Sequence, residues 1–500
     1  TVHRMFSEIF AFLTGKISGT VRRVKASIRG SPIFSLSQLQ LVNGTAKVTQ
    51  IVDFISAAII GGQLLPGSRL PSLREFCDQV ETSKFTVVEA LERLRARGLI
   101  TSIQGRGYFV SHARQTTEID ADKPLSLVSP DLHSRLKHAF AKSSDILRPG
   151  CGFLPEEWLD TEFFRKALRQ IIRKPQLKFS EYGNPRGYLP LRKTLQMKMN
   201  EAGISVPVEQ IIMANSTMNA IDMLFRILIK PGDTVLIDDP CYFNFRASLS
   251  QHQANVVFIP RGHTGVDIDE LETLLKESRP RAYLTSGLMH NPTGQSYSLE
   301  EMFALITVLN RYDCHLIEDD LYHDLMEPAT KPMSALAGLT NASYISGFSK
   351  LLSANMRVAY IATNPLLAEK LVQLKQQTGG VTCEFTEQTL HQFFRDGSYN
   401  RHQRRLIGNL SDVSSRVKSW LQEAGCRFPV VHSYGLFLWA ELPEHIDSET
   451  LAERALAQGL ALAPGTLFCQ KAEGLRYMRF NIAHSHNDKV AALVTRLLKP

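Results

Sequence analysis

No stretch of this 500-residue chain reaches the ~18 consecutive apolar residues that a membrane-spanning helix needs. Its seven cysteines (Cys77, Cys151, Cys241, Cys314, Cys383, Cys426 and Cys469) form no Cys-x-x-Cys pair and no metal-ligand spacing. Such an odd, dispersed set argues against a disulfide framework and reads as reduced thiols in a cytosol. Internal repeats and low-complexity tracts are also missing. What is present, 44% apolar and 21% charged residues, is ordinary globular composition. Five hundred residues exceed one ordinary core, so two or more domains are expected.

Charge is placed unevenly. Residues 1–112 hold 14 Lys/Arg against 7 Asp/Glu, whereas the other 388 are nearly balanced at 43 and 42. A basic end on a neutral body points to a polyanionic partner for that end. Residues 1–44 carry most of the excess, through Arg22, Arg23, Lys25 and Arg29, against a single acid, Glu8. They read as a basic extension, disordered or vector-derived, and lack the long apolar core of a targeting peptide.

Within 45–111, Val48, Ile51, Val52, Ile55, Ala58 and Ile59 have helical spacing, which Gly61-Gly62 ends. Ser72-Leu73-Arg74-Glu75 is a capping box opening a second helix that runs to Val80. A third helix runs from Ser83 to Arg97 and stops at Gly98. Residues 99–103, a Gln104-Gly105-Arg106-Gly107 turn and Tyr108-Phe109-Val110 read as a β-hairpin. Leu70-Pro71-Ser72-Leu73-Arg74, Gly98-Leu99-Ile100 and Gly105-Arg106-Gly107-Tyr108-Phe109-Val110 resemble the signature of the GntR family of winged helix-turn-helix proteins. That resemblance implies double-stranded operator DNA as partner, with Arg74, Ser83, Lys84, Thr86, Gln104 and Gly105 at the contact. The first turn of the third helix would then enter the major groove. Three residues depart from the pattern: Glu81 stands where the family has Gly, Phe85 where it has a small residue, and Lys84 where it has Arg, losing a bidentate fork.

Residues 112–146 are polar with scattered prolines and read as a linker. The alternative is a helix at 131–142, since Leu132, Leu136 and Phe140 are spaced four apart. Beyond Arg148, the apolar runs 235–237, 256–259, 282–284, 314–317, 344–345 and 358–361 alternate with helical stretches. That alternation predicts an α/β domain with a largely parallel sheet.

Lys350 in Ser346-Gly347-Phe348-Ser349-Lys350 follows Asp319-x-x-Tyr322 and precedes Arg357 by seven residues. An amine, an acid at a strand end, a phenol and an arginine are what pyridoxal phosphate needs. The amine bonds the aldehyde, the acid keeps the ring nitrogen protonated, and donors hold the phenolic oxygen and the phosphate. Residues 148–500 resemble the fold-type I aminotransferases, specifically the aminoadipate/kynurenine-like branch that is fused to GntR domains in MocR-type regulators. That resemblance implies a mostly parallel large domain with a smaller C-terminal α+β subdomain.

The resemblance also assigns roles. Lys350 matches the aldehyde-bonding lysine and Asp319 the partner of the ring nitrogen. Tyr322 and Asn291, the latter in His290-Asn291-Pro292-Thr293-Gly294, match the donors to the phenolic oxygen. Ser349 and Arg357 match phosphate ligands, and Ser216-Thr217 opens a helix whose N–H groups favour an anion. Tyr242 matches the aromatic stacked on the ring. Arg479, in Arg479-Phe480-Asn481, matches the clamp on a ligand carboxylate. Tyr182, in Tyr182-Gly183-Asn184-Pro185-Arg186-Gly187, matches a tyrosine reaching a neighbouring subunit's phosphate, which implies a homodimer. Gly347, Ser216 and Met218 depart from the family's usual phosphate-site residues.

The expectation is a cytoplasmic regulator. It would bind operator DNA through the winged helix and sense an amino compound, or pyridoxal phosphate itself, with at most a residual half-reaction. The alternative is an active aminotransferase carrying an N-terminal regulatory domain.

Overall fold

The computed structural model describes residues 36, 39, 41–42, 46–60, 63–65, 67–103, 105–111, 130–141, 146–173, 180–326, 330–430, 435–470 and 472–499. The proposed basic extension, except residues 36, 39 and 41–42, lies outside them, as do Gln104 and residues 112–129. The chain divides into two compact units, 1–123 and 124–500.

Among its described residues the first unit has three helices, α1 (Lys47–Ile60), α2 (Leu73–Val80) and α3 (Lys84–Ala96), followed by β1 (Ile100–Ile103) and β2 (Gly107–Val110). The α2 capping box is complete: Ser72 N donates to Glu75 Oε2 at 2.8 Å, and Glu75 N donates to Ser72 Oγ at 3.3 Å. β1 and β2 pair antiparallel, Ile100 opposite Val110 and Ile103 opposite Gly107. Ile51, Ile55, Phe76, Val87, Leu91 and Leu94 bury the facing stripes of the three helices into one core. Glu81, at the turn between α2 and α3, has φ +47°, a left-handed conformation that costs a residue with a Cβ.

The first described element of the second unit is α4 (Pro130–Ala141). Part of the stretch read as a linker is therefore helical. Leu136 is only 1% exposed, and it packs with Trp439, Leu467 and Phe468. That burial outweighs the polar composition that suggested a linker.

Eight strands form the large sheet: β3 (Ile211–Ala214), β4 (Thr234–Asp239), β5 (Asn255–Gly262), β6 (Gly265–Val266), β7 (Ala282–Thr285), β8 (His315–Asp319), β9 (Ala342–Gly347) and β10 (Ala359–Ala362). Their order is β3-β10-β9-β8-β7-β4-β5-β6. The run from β5 through β4, β7 and β8 to β9 is parallel, and β10 is antiparallel to both of its neighbours. The parallel strands read as unbroken apolar runs because both faces are covered. A smaller C-terminal sheet, β11 (Phe437–Glu441), β12 (Ala463–Pro464) and β13 (Tyr477–Asn481), has β13 at its centre. No described helix is long and apolar enough to cross a membrane.

Candidate cofactor and DNA sites

Loops at the carboxyl ends of parallel strands converge, as expected for an open α/β sheet. Asp319 is the last residue of β8, Lys350 follows β9 by three residues, and Asn291 lies in the loop after β7. Ser216 caps α5 (Thr217–Leu228), its Oγ accepting from Asn219 N at 3.0 Å. A cavity of about 270 Å³ is lined by Ser216, Thr217, Tyr242, Asn291, Asp319, Tyr322, Ser349, Lys350 and Arg357. Nine residues singled out from the sequence therefore meet at one place, although they span 142 positions. Tyr182 is not among them; it is 95% exposed.

The electrostatics of the cavity are set by burial. Asp319 Oδ1 is shut away from solvent and has no hydrogen-bond partner among the described residues. Burial, then the neighbouring Asp320, pushes the Asp319 carboxyl up to about 7, with Lys350 pulling the other way. Burial, reinforced by Arg479, lowers the Lys350 amine to about 8. Its Nζ lies 3.9 Å from the Phe153 ring centroid, and a Cβ at position 152 would stand 3.2 Å from that Nζ. Burial raises the Tyr322 and Tyr242 phenols, and Arg479 opposes both shifts.

Arg479, on β13, is 3% exposed. Its guanidinium sits 4.3 Å from the Phe437 ring centroid and 4.7 Å from that of Phe468. Nη1 donates to Asn291 Oδ1 and Nη2 to the Gly150 carbonyl, both at 2.7 Å, while Nε has no partner among the described residues. Gly347, a departure noted in the sequence, is held by packing: a Cβ there would meet Ala359 Cβ at 3.0 Å and the Val358 carbonyl at 3.2 Å.

Several participants escaped sequence reading. Phe153, Phe437 and Phe468 enclose the cations, and Asp320 accepts from Tyr344 at 3.0 Å and pairs with His323 at 3.1 Å. Beneath the strand ends, Arg261 donates to Asp238 at 3.1 Å and Thr285 to the same carboxylate at 2.7 Å. Two glycines and an aromatic in Gly150-Cys151-Gly152-Phe153 were the available signal for the first of these. The others gave none.

In the first unit, Arg74, Ser83, Lys84 and Gly105 are exposed and Thr86 is half-buried. Ser83 Oγ accepts from Thr86 N at 3.2 Å and lies 2.8 Å from Thr86 Oγ1, so these hydroxyls already serve the cap of α3. Between them Lys84 and Phe85 point outward, with Phe85 77% exposed.

Residues 47–110 match the model of bacterial regulatory proteins of the gntR family. An aromatic-amino-acid aminotransferase of Thermococcus litoralis is 26% identical, covering 75% of this chain and 92% of that one. An uncharacterized HTH-type transcriptional regulator, YdcR of Escherichia coli, is 25% identical over 91% of this chain and 98% of its own. Among solved structures, a Pyrococcus horikoshii kynurenine aminotransferase complexed with PMP superposes with TM-score 0.69 at 25% identity, covering 77% of this chain and 97% of that one. Pyridoxal phosphate is the cofactor this fold indicates. The donor set suits it: a buried acid oxygen with no partner, an amine of lowered basicity and a hydroxyl-rich helix start share one cavity. With residues 156–497 matching the aminotransferase class I and II model, the chain belongs to that family and carries a gntR-type segment ahead of it, as MocR-type regulators do.

Proposed function

We propose that this chain is a transcription regulator whose binding to operator DNA answers to an amino compound captured in the aminotransferase-like unit. The observation that carries this reading is one chain holding both an exposed winged-helix surface and a cavity that gathers nine of the residues matched to a cofactor site. A curated relative called a transcriptional regulator spans nearly the whole chain, which supports it.

In this reading Asp319 would hold the ring nitrogen, Tyr322 and Asn291 the phenolic oxygen, and Ser216, Thr217, Ser349 and Arg357 the phosphate, with Tyr242 against the ring. When bound, the cofactor supplies an aldehyde for which the Lys350 amine and a ligand amine compete. The Lys350 basicity of about 8 keeps a usable fraction of its amine neutral near pH 7. Arg479, whose guanidinium lies over two phenyl rings and whose Nε has no partner among the described residues, would bind a ligand carboxylate through its N–H groups. A ligand alters DNA binding only by favouring one arrangement of the chain over another.

Arg74, Lys84 and the Gly105 turn form the DNA-facing set, with the cap of Ser83 and Thr86 holding α3 in shape. Tyr182, exposed in a single chain, reaches a second copy in a homodimer. The test is a gel shift on duplexes selected from a random library, titrated with pyridoxal phosphate and with amines. Binding that responds to none of them defeats the proposal.

The second reading, an aminotransferase with a regulatory appendage, is favoured by the joint presence of Lys350, Asp319 and Arg479. Sustained turnover with a keto-acid acceptor, together with failure to select any duplex, would establish it over the first.

A further inference from the structure

A cavity of about 500 Å³ lies within the second unit and shares no lining residue with the cofactor cavity. Lys198, in the last turn of the helix Leu189–Glu201, stands on its wall. So do His323 and Arg404, the latter in the second turn of the helix Ser398–Glu423. Asp324 is the buried acid here, and both of its carboxylate oxygens are engaged. Lys198 Nζ donates to one and Tyr399 OH to the other. Burial would raise that carboxyl, but Lys198 and then Tyr399 hold it below its ordinary value. The Asp324 carbonyl is also taken, by Gln403 Nε2 at 2.7 Å.

What the cavity has left to offer is donors. An ammonium carries three N–H groups, and Asp324 takes one of those on Lys198. Arg404 donates from Nε to the Asn400 carbonyl at 3.3 Å and forms no ion pair among the described residues. Burial works against a charge on His323, but Asp320 and Asp324 outweigh it and lift the imidazole above its ordinary value, which favours the donor form. The other acid on the walls, Glu201, is exposed. Met197, Met326 and Phe394 add apolar surface.

We infer that this cavity is a second ligand site, for a small organic anion with a carboxylate or phosphate head among Lys198, His323 and Arg404 and a short carbon body over Met197, Met326 and Phe394. A cationic ligand would find only Glu201 unengaged, in water, where an ion pair selects weakly. The site stands whether or not the cofactor pocket senses an amine.

It also has a route to the cofactor. His323 Nδ1 stands 3.1 Å from Asp320 Oδ2, the oxygen that accepts from Tyr344 at 3.0 Å. Asp320 is the neighbouring charge that helps to raise the Asp319 carboxyl. An anion beside His323 favours the charged ring, the charged ring offsets Asp320, and Asp319 then ionises more readily against a ring nitrogen. The bound anion therefore tightens the hold on the cofactor.

The test is calorimetry on full-length cofactor-loaded protein with inorganic phosphate, glutarate and putrescine. Phosphate or glutarate should bind with a Kd of about 1 mM or below, the tighter of the two naming the head, and putrescine should not bind. Arg404→Gln, an exposed change that leaves the fold alone, should weaken binding at least about threefold, and Lys198→Gln further. Arg479→Gln should leave this binding in place, which separates it from any carboxylate held at Arg479. In that Arg479→Gln background, saturating glutarate should slow cofactor release on dilution at least about twofold, and adding His323→Gln should remove the effect. Putrescine binding best, neither anion binding, or affinity indifferent to both Arg404→Gln and Lys198→Gln overturns the site. Binding with unchanged cofactor release overturns the route to the cofactor.

Discussion

Arg479 and Asn291, 188 residues apart in sequence, are joined by a 2.7 Å hydrogen bond from Nη1 to Oδ1. The resemblance gave these two residues separate tasks, one toward a ligand carboxylate and one toward the cofactor. Their bond means that a carboxylate arriving at Arg479 competes for a donor already engaged with a cofactor-side residue. Occupancy at one end is thereby felt at the other.

Arg479→Lys keeps the charge but loses both the fork and the flat face that lies over the Phe437 and Phe468 rings. Affinity for an α-amino acid should fall roughly a hundredfold, the scale of truncating a buried charge-assisted pair. The decarboxylated amine of the same side chain should be little affected. Spectral titration of the two compounds side by side checks the difference.

The Lys350 amine, held down to about 8 chiefly by burial, sets a pH dependence. Only the neutral amine attacks an aldehyde, so cofactor capture by cofactor-free protein should speed up as pH rises from 6.5 to 9. The midpoint should fall near about 8 rather than near the ordinary value of 10.5. Stopped-flow absorbance after adding pyridoxal phosphate measures it, and a rate still climbing steeply above pH 9.5 would contradict the assignment.

Asp319 makes a prediction of opposite sign with and without cofactor. Burial raises its folded-state value from 3.8 to about 7. Between those values the folded chain holds the proton and the unfolded chain does not, so stability falls as pH rises through that window. In cofactor-free protein, Asp319→Asn should therefore become relatively more stable as pH goes from 5 to 8. In loaded protein the same change should destabilise, because the carboxylate's partner is present. Melting temperatures of both forms at the two pH values decide it.

Glu81→Gly should stabilise the first unit by about 1 kcal/mol, since glycine adopts the φ of +47° without a Cβ penalty. The change also removes a negative charge from the turn that precedes α3, so affinity for DNA should rise. Thermal melts and a gel shift at fixed salt test the two effects separately.

Phe85, 77% exposed on the first turn of α3, contributes little to folding. Its exposed ring is suited to a thymine methyl group in the major groove. Phe85→Ala should leave the melting temperature nearly unchanged and weaken binding to a selected duplex by about tenfold. Replacing the selected thymines with uracil should weaken the unmutated protein and leave the variant indifferent.

The first unit was legible because its signals are local. The Ser72 box, the Gly98 stop and the Gly105–Gly107 turn each act over a few residues, and all became the elements they announced. The parallel strands were legible for the same reason, as apolar runs between helical stretches. β3 and the three C-terminal strands were not picked out one by one, since short buried strands resemble buried helix segments in an apolar pattern. The helix at 130–141 competed with a linker reading until its burial was known.

By itself, the sequence determined which residue types the pocket holds and in what order, because Lys350, Asp319, Tyr322 and Arg357 lie on neighbouring strand ends of a repeating α/β plan. Only the tertiary structure decided what surrounds them. Phe153, Phe437 and Phe468 come from distant segments, and nothing local around Phe437 or Phe468 announces a cation. The basicity of Lys350 and the unpaired oxygen of Asp319 both arise from burial, which depends on the packing of the whole unit rather than on any one stretch of chain.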